Sequence, residues 1–369
     1  MVRICNRCVM DSTAKNIVFD ENGVCNFCKD YERKFHGNVT KKKDLDELIT
    51  KIKEDGKNKK YDCIVGVSGG IDSSYVLLKV KELGLRPLAV HLDNGWNSDM
   101  ATKNIQNLVK KLNVDLYTHV VNEEENLDLQ KSFFKSNVVD IELLADNSIQ
   151  ALSYIQAKKY GIKYILSGSN TATEGIRMPI GWCSYKHDVK NIKNIQKKFG
   201  NKKIKTSIFI STFDWIKYIY VNKIRWIPFL DYLEYDKENA LQNLEKDIGY
   251  IRYPYKHYES VFTRFYQGFI LPNKFNIDKR KVHLSSLIMS NQMSRDDALK
   301  LLKESPYPNE NLLVSDKEIV LKKLGFTEEE FDNYIKTPEV PHAFYGSEEW
   351  VQDLWILLVK IGKKILRRS

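Results

Sequence analysis

Val67-Ser68-Gly69-Gly70-Ile71-Asp72-Ser73-Ser74 stands between residues 61–67, which read as a short buried strand, and residues 73–83, which read as a helix. Two adjacent glycines let the backbone turn so that successive N–H groups point into one concavity. The hydroxyls of Ser68, Ser73 and Ser74 add donors, and the N-terminus of the following helix adds its partial positive charge. Together these make an anion site of pyrophosphate dimensions. It is not a Walker A loop, because no G-x4-G-K-[ST] occurs in the chain.

The pattern on either side of this loop predicts the fold. Residues 86–92 and 115–121 read as further strands, with a helix over 99–112 between them. Asn122 is placed to cap the next helix, with Glu125 at the reciprocal capping-box position. A helix over 148–159 and a fourth strand over 163–166 complete the series. Strands alternating with helices imply a doubly wound parallel sheet covered on both faces, an α/β fold of Rossmann-like type. Beyond about Lys190 the alternation is expected to stop. Helices are then signalled by Ser294 with Asp297, by Thr327 with Glu330 ahead of Pro338, and by an apolar stripe over 349–366. The expected division is a four-cysteine zinc-binding module over 1–35, the α/β core over 36–195 and a mainly helical region for substrate or partner over 196–369.

Four of the six cysteines fall in two knuckles, Cys5-x2-Cys8 and Cys25-x2-Cys28, sixteen residues apart. That spacing brings four thiolates around one structural Zn²⁺ with no open coordination position. A disulfide pairing is the weaker alternative in a reducing cytosol. At 43% hydrophobic residues the chain is too apolar for a disordered one, and 369 residues bury a core that needs no disulfides. The apolar run 355–359 is far too short to span a membrane, and the first 20 residues carry no apolar signal core, so a cytoplasmic protein without a transmembrane segment is expected. The net charge of +10 comes from 46 Lys and only 12 Arg, scattered over the whole length. That reads as a solvated surface favouring anionic ligands, with nucleic acid disfavoured as a partner.

Ser-Gly-Gly-x-Asp-Ser after a strand resembles the pyrophosphate loop of the PP-loop ATP-pyrophosphatase superfamily. The resemblance implies an adenylating enzyme that splits ATP into AMP and pyrophosphate with Mg²⁺. It assigns Val67, Ser68, Gly69, Gly70, Asp72, Ser73 and Ser74 to the pyrophosphate and its metal. It also assigns the adenosine to Val90-His91-Leu92-Asp93 and to the Gly168-Ser169-Asn170 loop. Both segments fall beyond the carboxyl ends of strands, where ligands of such sheets bind. Nearly the full length further resembles the N-acetyl sugar amidotransferases of bacterial surface-glycan synthesis, the WbpG and PseA type. Three segments carry this: the N-terminal Cys pairs with Val9-Met10-Asp11, the loop Gly168-Ser-Asn-Thr-Ala-Thr-Glu-Gly175, and Tyr255-Lys-His-Tyr-Glu-Ser-Val-Phe-Thr-Arg-Phe-Tyr-Gln267 running on to Leu271-Pro-Asn-Lys-Phe275.

That family implies conversion of a sugar N-acetyl group, with or without a nucleotide on the sugar, to an acetamidino group through an adenylylated imidate. The pathway implied is that of an LPS O-antigen or nonulosonate. Besides Asp72, the candidate catalytic residues are Lys256 and Arg264, which would neutralise phosphates or orient an acidic sugar. Glu174 and Glu259 would contact metal or take a proton from the attacking nitrogen. Met1-Val2 supplies no terminal nucleophilic Cys, and Cys183 in Gly181-Trp-Cys-Ser-Tyr185 lacks a nucleophile elbow. Ammonia is therefore expected from a separate glutaminase subunit of the HisH type, with or without a HisF-like protein, or from solution. The alternative is a PP-loop tRNA-thiolating enzyme, which commonly needs reactive cysteines near the ATP site, where only Cys183 remains. The basic residues Lys360, Lys363, Lys364, Arg367 and Arg368 beside the last apolar stripe read as complements to the helix dipole.

Overall fold

Five short apolar segments form one parallel sheet: β1 Cys63–Gly66, β2 Pro87–Asp93, β3 Leu116–Val120, β4 Tyr164–Ser167 and β5 Arg225–Pro228. In this computed structural model, which describes residues 2–35, 42–253 and 258–366, their order is β3-β2-β1-β4-β5. β1 is central, pairing Val65 with Ala89 of β2 on one side and with Leu166 of β4 on the other. Its side chains alternate between two separate cores, as the period of two demands. Cys63 and Val65 join Ala89, Tyr164 and Leu166 under the helices Lys42–Gly56, Ile71–Glu82, Asp99–Leu112 and Lys237–Ile248. Ile64 joins Leu88, Val90 and Ile165 under the helices Leu143–Lys159 and Thr212–Tyr220. The sheet is therefore doubly wound, and the loop after β1 opens at the switch point between β1 and β4.

The structure departs from the sequence pattern in three places. The alternation of strand and helix does not stop near Lys190: β5 and the helix Lys237–Ile248 extend the sheet layer well past it. β5 is only Arg-Trp-Ile-Pro, and a terminal proline is tolerated because it is an edge strand. The helix over the second face starts at Leu143, one turn before the expected start at residue 148. Asn122 caps its helix by accepting from Glu125 N, but Glu125 does not reach back. Its carboxylate instead accepts the backbone N–H groups of Lys205, Thr206 and Ser207 at 2.7–3.2 Å.

The remaining chain is mainly helical. A third core joins the four-cysteine module to it, with Cys5, Met10, Phe27 and Cys28 packed among Trp96, Phe133, Phe265 and Tyr266. Arg295 ties the module from the far end of the chain, donating to the carbonyls of Cys5 and Cys8. The last helix runs Glu349–Leu366; of its apolar stripe Val351 is buried, whereas Leu354 and Leu358 are exposed. Among the described residues no helix is long and apolar enough to cross a membrane.

Candidate active site

Gly69 has φ +82°, a conformation side chains disfavour, and a Cβ there would lie 2.8 Å from the Ala101 carbonyl oxygen. Gly70 then takes the N-cap position of the helix Ile71–Glu82 with no side chain capping it. A helix N-terminus of this kind favours an anion. Ser68 and Ser73 stand together, hydroxyl to hydroxyl at 3.2 Å, and the Ser68 hydroxyl accepts from Gly70 N at 3.2 Å.

This loop is gripped from residues far away in sequence. The Gly69 carbonyl accepts from the hydroxyls of Tyr250 (2.9 Å) and Tyr253 (3.1 Å), both buried. The buried Asn104 amide bridges to the Ile251 backbone in both directions, at 2.8 and 3.0 Å. Tyr235 donates its hydroxyl to the Asp72 carboxylate, which fixes the direction of that side chain. Burial, then the Asp72 charge, pushes the Tyr235 phenol far up, so it stays a donor. Sequence reasoning missed Tyr235, Tyr250, Tyr253 and Asn104; the density of tyrosines over 250–255 was their only local signal.

The other expected segments close around the same point. A Cβ on Gly168 would lie 2.9 Å from the backbone of both Asp72 and Ser73, so only glycine lets the loop after β4 come this near. Asn170 caps the short helix Thr171–Glu174 and donates to the Gly168 carbonyl. Ser169 and Glu174 are exposed at this edge, and the Asp231 carboxylate accepts from Thr171 N at 2.7 Å. At the end of β2, Val90 O accepts from Val67 N. His91 spans the loop base: Nδ1 donates to Val67 O at 2.8 Å while Nε2 accepts from the Asn97 amide at 2.9 Å. Val90, His91 and Leu92 are buried, and Asp93 Oδ1 accepts from Gly95 N. His91 thus serves to hold β1 against β2.

Of the candidates from the C-terminal half, Glu259 is brought to the loop. Ser98 N donates to Glu259 O and Val261 N to Trp96 O, a strand-like bridge that sets Glu259 Oε1 3.6 Å from where a Gly70 Cβ would be. Arg264 is engaged elsewhere. Its guanidinium forks onto Asp316 at 2.6 Å through both Nε and Nη2, lies over the Tyr258 ring, and shares Asp316 with the Tyr307 hydroxyl. Lys256 lies outside the described residues. Cys183 is half-buried, and burial pushes its thiol up, away from a thiolate.

Cys5, Cys8, Cys25 and Cys28 converge with their sulfurs within 4.8 Å of one another, all buried. Three of the six separations, at 3.7–4.0 Å, match the edge of about 3.8 Å expected for a tetrahedron of Zn–S bonds. They are too long for disulfides. Backbone N–H groups of Arg7, Met10 and Cys25 point at the sulfurs of Cys5 and Cys8, as thiolates require. The donor set fits structural zinc.

A glycine nest and a helix N-terminus thus stand at the switch point of a 3-2-1-4-5 parallel sheet, the arrangement that the resemblance of the Ser-Gly-Gly-x-Asp-Ser loop implies. Residues 259–360 match the family model described as LPS biosynthesis protein WbpG-like, C-terminal domain. The match covers the segment that carries Glu259 and Arg264. Similar solved structures include an NMN synthetase from Francisella tularensis, at 18% identity over 57% of this chain and 93% of that one, TM-score 0.28. An NH3-dependent NAD synthetase from Campylobacter jejuni subsp. jejuni NCTC 11168, in complex with the nitrate ion, is 15% identical over 80% and 96%, TM-score 0.30. Among curated proteins none matches the sequence.

Proposed function

We propose that the chain is a cytoplasmic, AMP-forming ATP-dependent C–N ligase acting on the N-acetyl group of a nucleotide sugar. The product is the acetamidino sugar of a bacterial surface glycan, and a separate glutaminase supplies the ammonia. One observation carries this reading: Glu259, from the segment matched by the WbpG-like model, meets the uncapped helix N-terminus at Gly70.

An acetamide is a poor electrophile, so its oxygen must become a leaving group. The carbonyl oxygen attacks the α-phosphorus of ATP and the bond to pyrophosphate breaks, giving an O-adenylyl imidate. Ammonia adds to the imidate carbon, the C–O bond to AMP breaks, and the nitrogen loses a proton. Catalysis of this kind is positioning and charge stabilisation. The 68–74 loop would hold the departing pyrophosphate through backbone N–H groups and serine hydroxyls. Asp72, aimed by Tyr235, would hold Mg²⁺, which when bound neutralises phosphate charge. The end of β2 and the Gly168-Ser169-Asn170 loop would flank the adenosine. Glu259 and Glu174 are the groups to take the proton from nitrogen, and Lys256 is a further phosphate contact. Arg264, its charge matched by Asp316, is a positioning residue for the 258–264 segment.

The thiols argue against the tRNA-thiolating alternative. Cys63 is fully buried in β1 and Cys183 is pushed up by burial, so neither is a poised thiolate. ATP–pyrophosphate exchange tests the reading. Exchange stimulated by an N-acetylated nucleotide sugar is the expected result; exchange that depends on bulk tRNA alone would refute it.

A further inference from the structure

The last helix, Glu349–Leu366, is apolar on two sides, and the fold covers only one of them. Val351 is buried, and Trp355 and Val359, on the same line of the helix, are half-buried. Trp350, Leu354, Leu357 and Leu358 fall at i, i+4, i+7 and i+8 on another face and are 47–63% exposed. A helix apolar on more than one side is normally buried, so this open face calls for a cover.

Its neighbour is the helix Thr212–Tyr220. The Glu348 carboxylate accepts from Thr212 N and Oγ1, both at 3.3 Å, and the Trp355 ring meets the Tyr220 ring at 4.9 Å. Contacts of 348 with 212 and of 355 with 220 mean that the two helices run side by side in the same direction. Residues 356–366 carry the longer one about 16 Å beyond the ring contact. Phe213 and Tyr220, two turns apart on the shorter helix, are exposed as well, as is Val221 at its end.

Charge decides what covers this surface. Lys217, Lys223 and Arg225 are exposed on and just after the shorter helix. The sequence after Asp353 adds Lys360, Lys363, Lys364, Arg367 and Arg368 and no acidic residue. Over 212–225 and 349–369 the acidic residues are Asp214, Glu349 and Asp353. A second copy docked here would set this excess of cations against itself, whereas an anionic surface complements it. Trp, Tyr and Leu beside Lys and Arg make up a helix that lies in the plane of a bilayer interface. We propose that these two helices dock on an anionic lipid surface. Trp350, Leu354, Leu357 and Leu358 enter the headgroup boundary, and the cations meet acidic headgroups. The attachment is peripheral and does not depend on which reaction the protein catalyses.

The test is sedimentation of the full-length protein with vesicles of phosphatidylcholine alone, or of phosphatidylcholine and phosphatidylglycerol in equal parts. Binding to the mixed vesicles should be at least about tenfold tighter. Raising salt from about 0.1 to about 1 M should weaken it, because the screening length falls from about 10 to about 3 Å. Leu354→Ser/Leu357→Ser/Leu358→Ser and Lys360→Gln/Lys363→Gln/Lys364→Gln should each lower the affinity at least about tenfold, with thermal melting unchanged. In the wild type the mixed vesicles should also slow amide hydrogen exchange over 349–366, a reading that needs no variant. Equal binding to both kinds of vesicle, no protection over 349–366, or full binding by either variant overturns the proposal. Self-association that the leucine variant loses, without vesicle binding, would assign the face to a second copy and overturn it as well.

Discussion

Replacing Gly69 by alanine should cost far more than replacing Gly66, three residues earlier. At Gly69 the backbone has φ +82°, and a Cβ would lie 2.8 Å from Ala101 O and 2.9 Å from Ala101 Cα. A non-glycine residue in a left-handed conformation costs about 1–2 kcal/mol. Forcing an extra methyl against packed backbone adds about 1–3 kcal/mol. The loop cannot relax cheaply, because the Gly69 carbonyl is the shared acceptor of Tyr250 and Tyr253. The sum is about 2–5 kcal/mol, divided between folding stability and the binding of ATP. At Gly66 a Cβ meets nothing within 4 Å, so Gly66→Ala should stay within about 0.5 kcal/mol of wild type. Urea unfolding gives the first share, and calorimetric titration with a non-hydrolysable ATP analogue gives the second. If Gly69→Ala changes stability by less than about 0.5 kcal/mol and analogue affinity by less than about twofold, the account of the loop fails.

Three other outcomes follow from the structure. Metal analysis of protein prepared without chelator should find one zinc per chain, and Cys25→Ser should lose it together with the cooperative melting of the core that the module shares with Trp96 and Phe265. Arg264→Met should cost about 3–5 kcal/mol by stranding the Asp316 carboxylate, and the double variant Arg264→Met/Asp316→Leu should recover most of it in urea unfolding. Burial works against ionisation of Glu125, yet hydrogen bonds from Ser207, Thr206 and Lys205 hold its carboxyl down to about 2, below its ordinary 4.5. Its folded pKa being depressed, its contribution is complete above pH 4.5 and is lost as pH falls towards 2. The contribution is worth up to about 3 kcal/mol. Glu125→Gln should flatten that part of the stability–pH curve, and an unchanged acid limb would count against the assignment.

What could be read from the sequence was local. The glycine pair, the strand before it and the helix after it are neighbours in the chain, so periodicity and turn chemistry reveal them. The two cysteine knuckles are likewise complete within 28 residues. β5 could not be read that way, because four residues ending in proline carry almost no strand signal and their pairing with β4 is decided by tertiary contact. Tyr235 on Asp72 and Tyr250 on Gly69 join residues 163 and 181 positions apart. No spacing rule covers that distance. Arg264 shows the converse. Its charge fits an anion-binding role, and only the fold reveals that Asp316 already occupies it.

The grip of Tyr250 and Tyr253 on Gly69 also orders events during synthesis. The glycine turn is translated early, but its carbonyl acquires its clamps only after 181 further residues have been made. A nascent chain halted at the end of β4 would carry the whole Ser-Gly-Gly-x-Asp-Ser signature and still lack the part that holds it in shape. On the proposed reading, nucleotide binding would be a property acquired late, and a half-made or truncated chain would not sequester ATP.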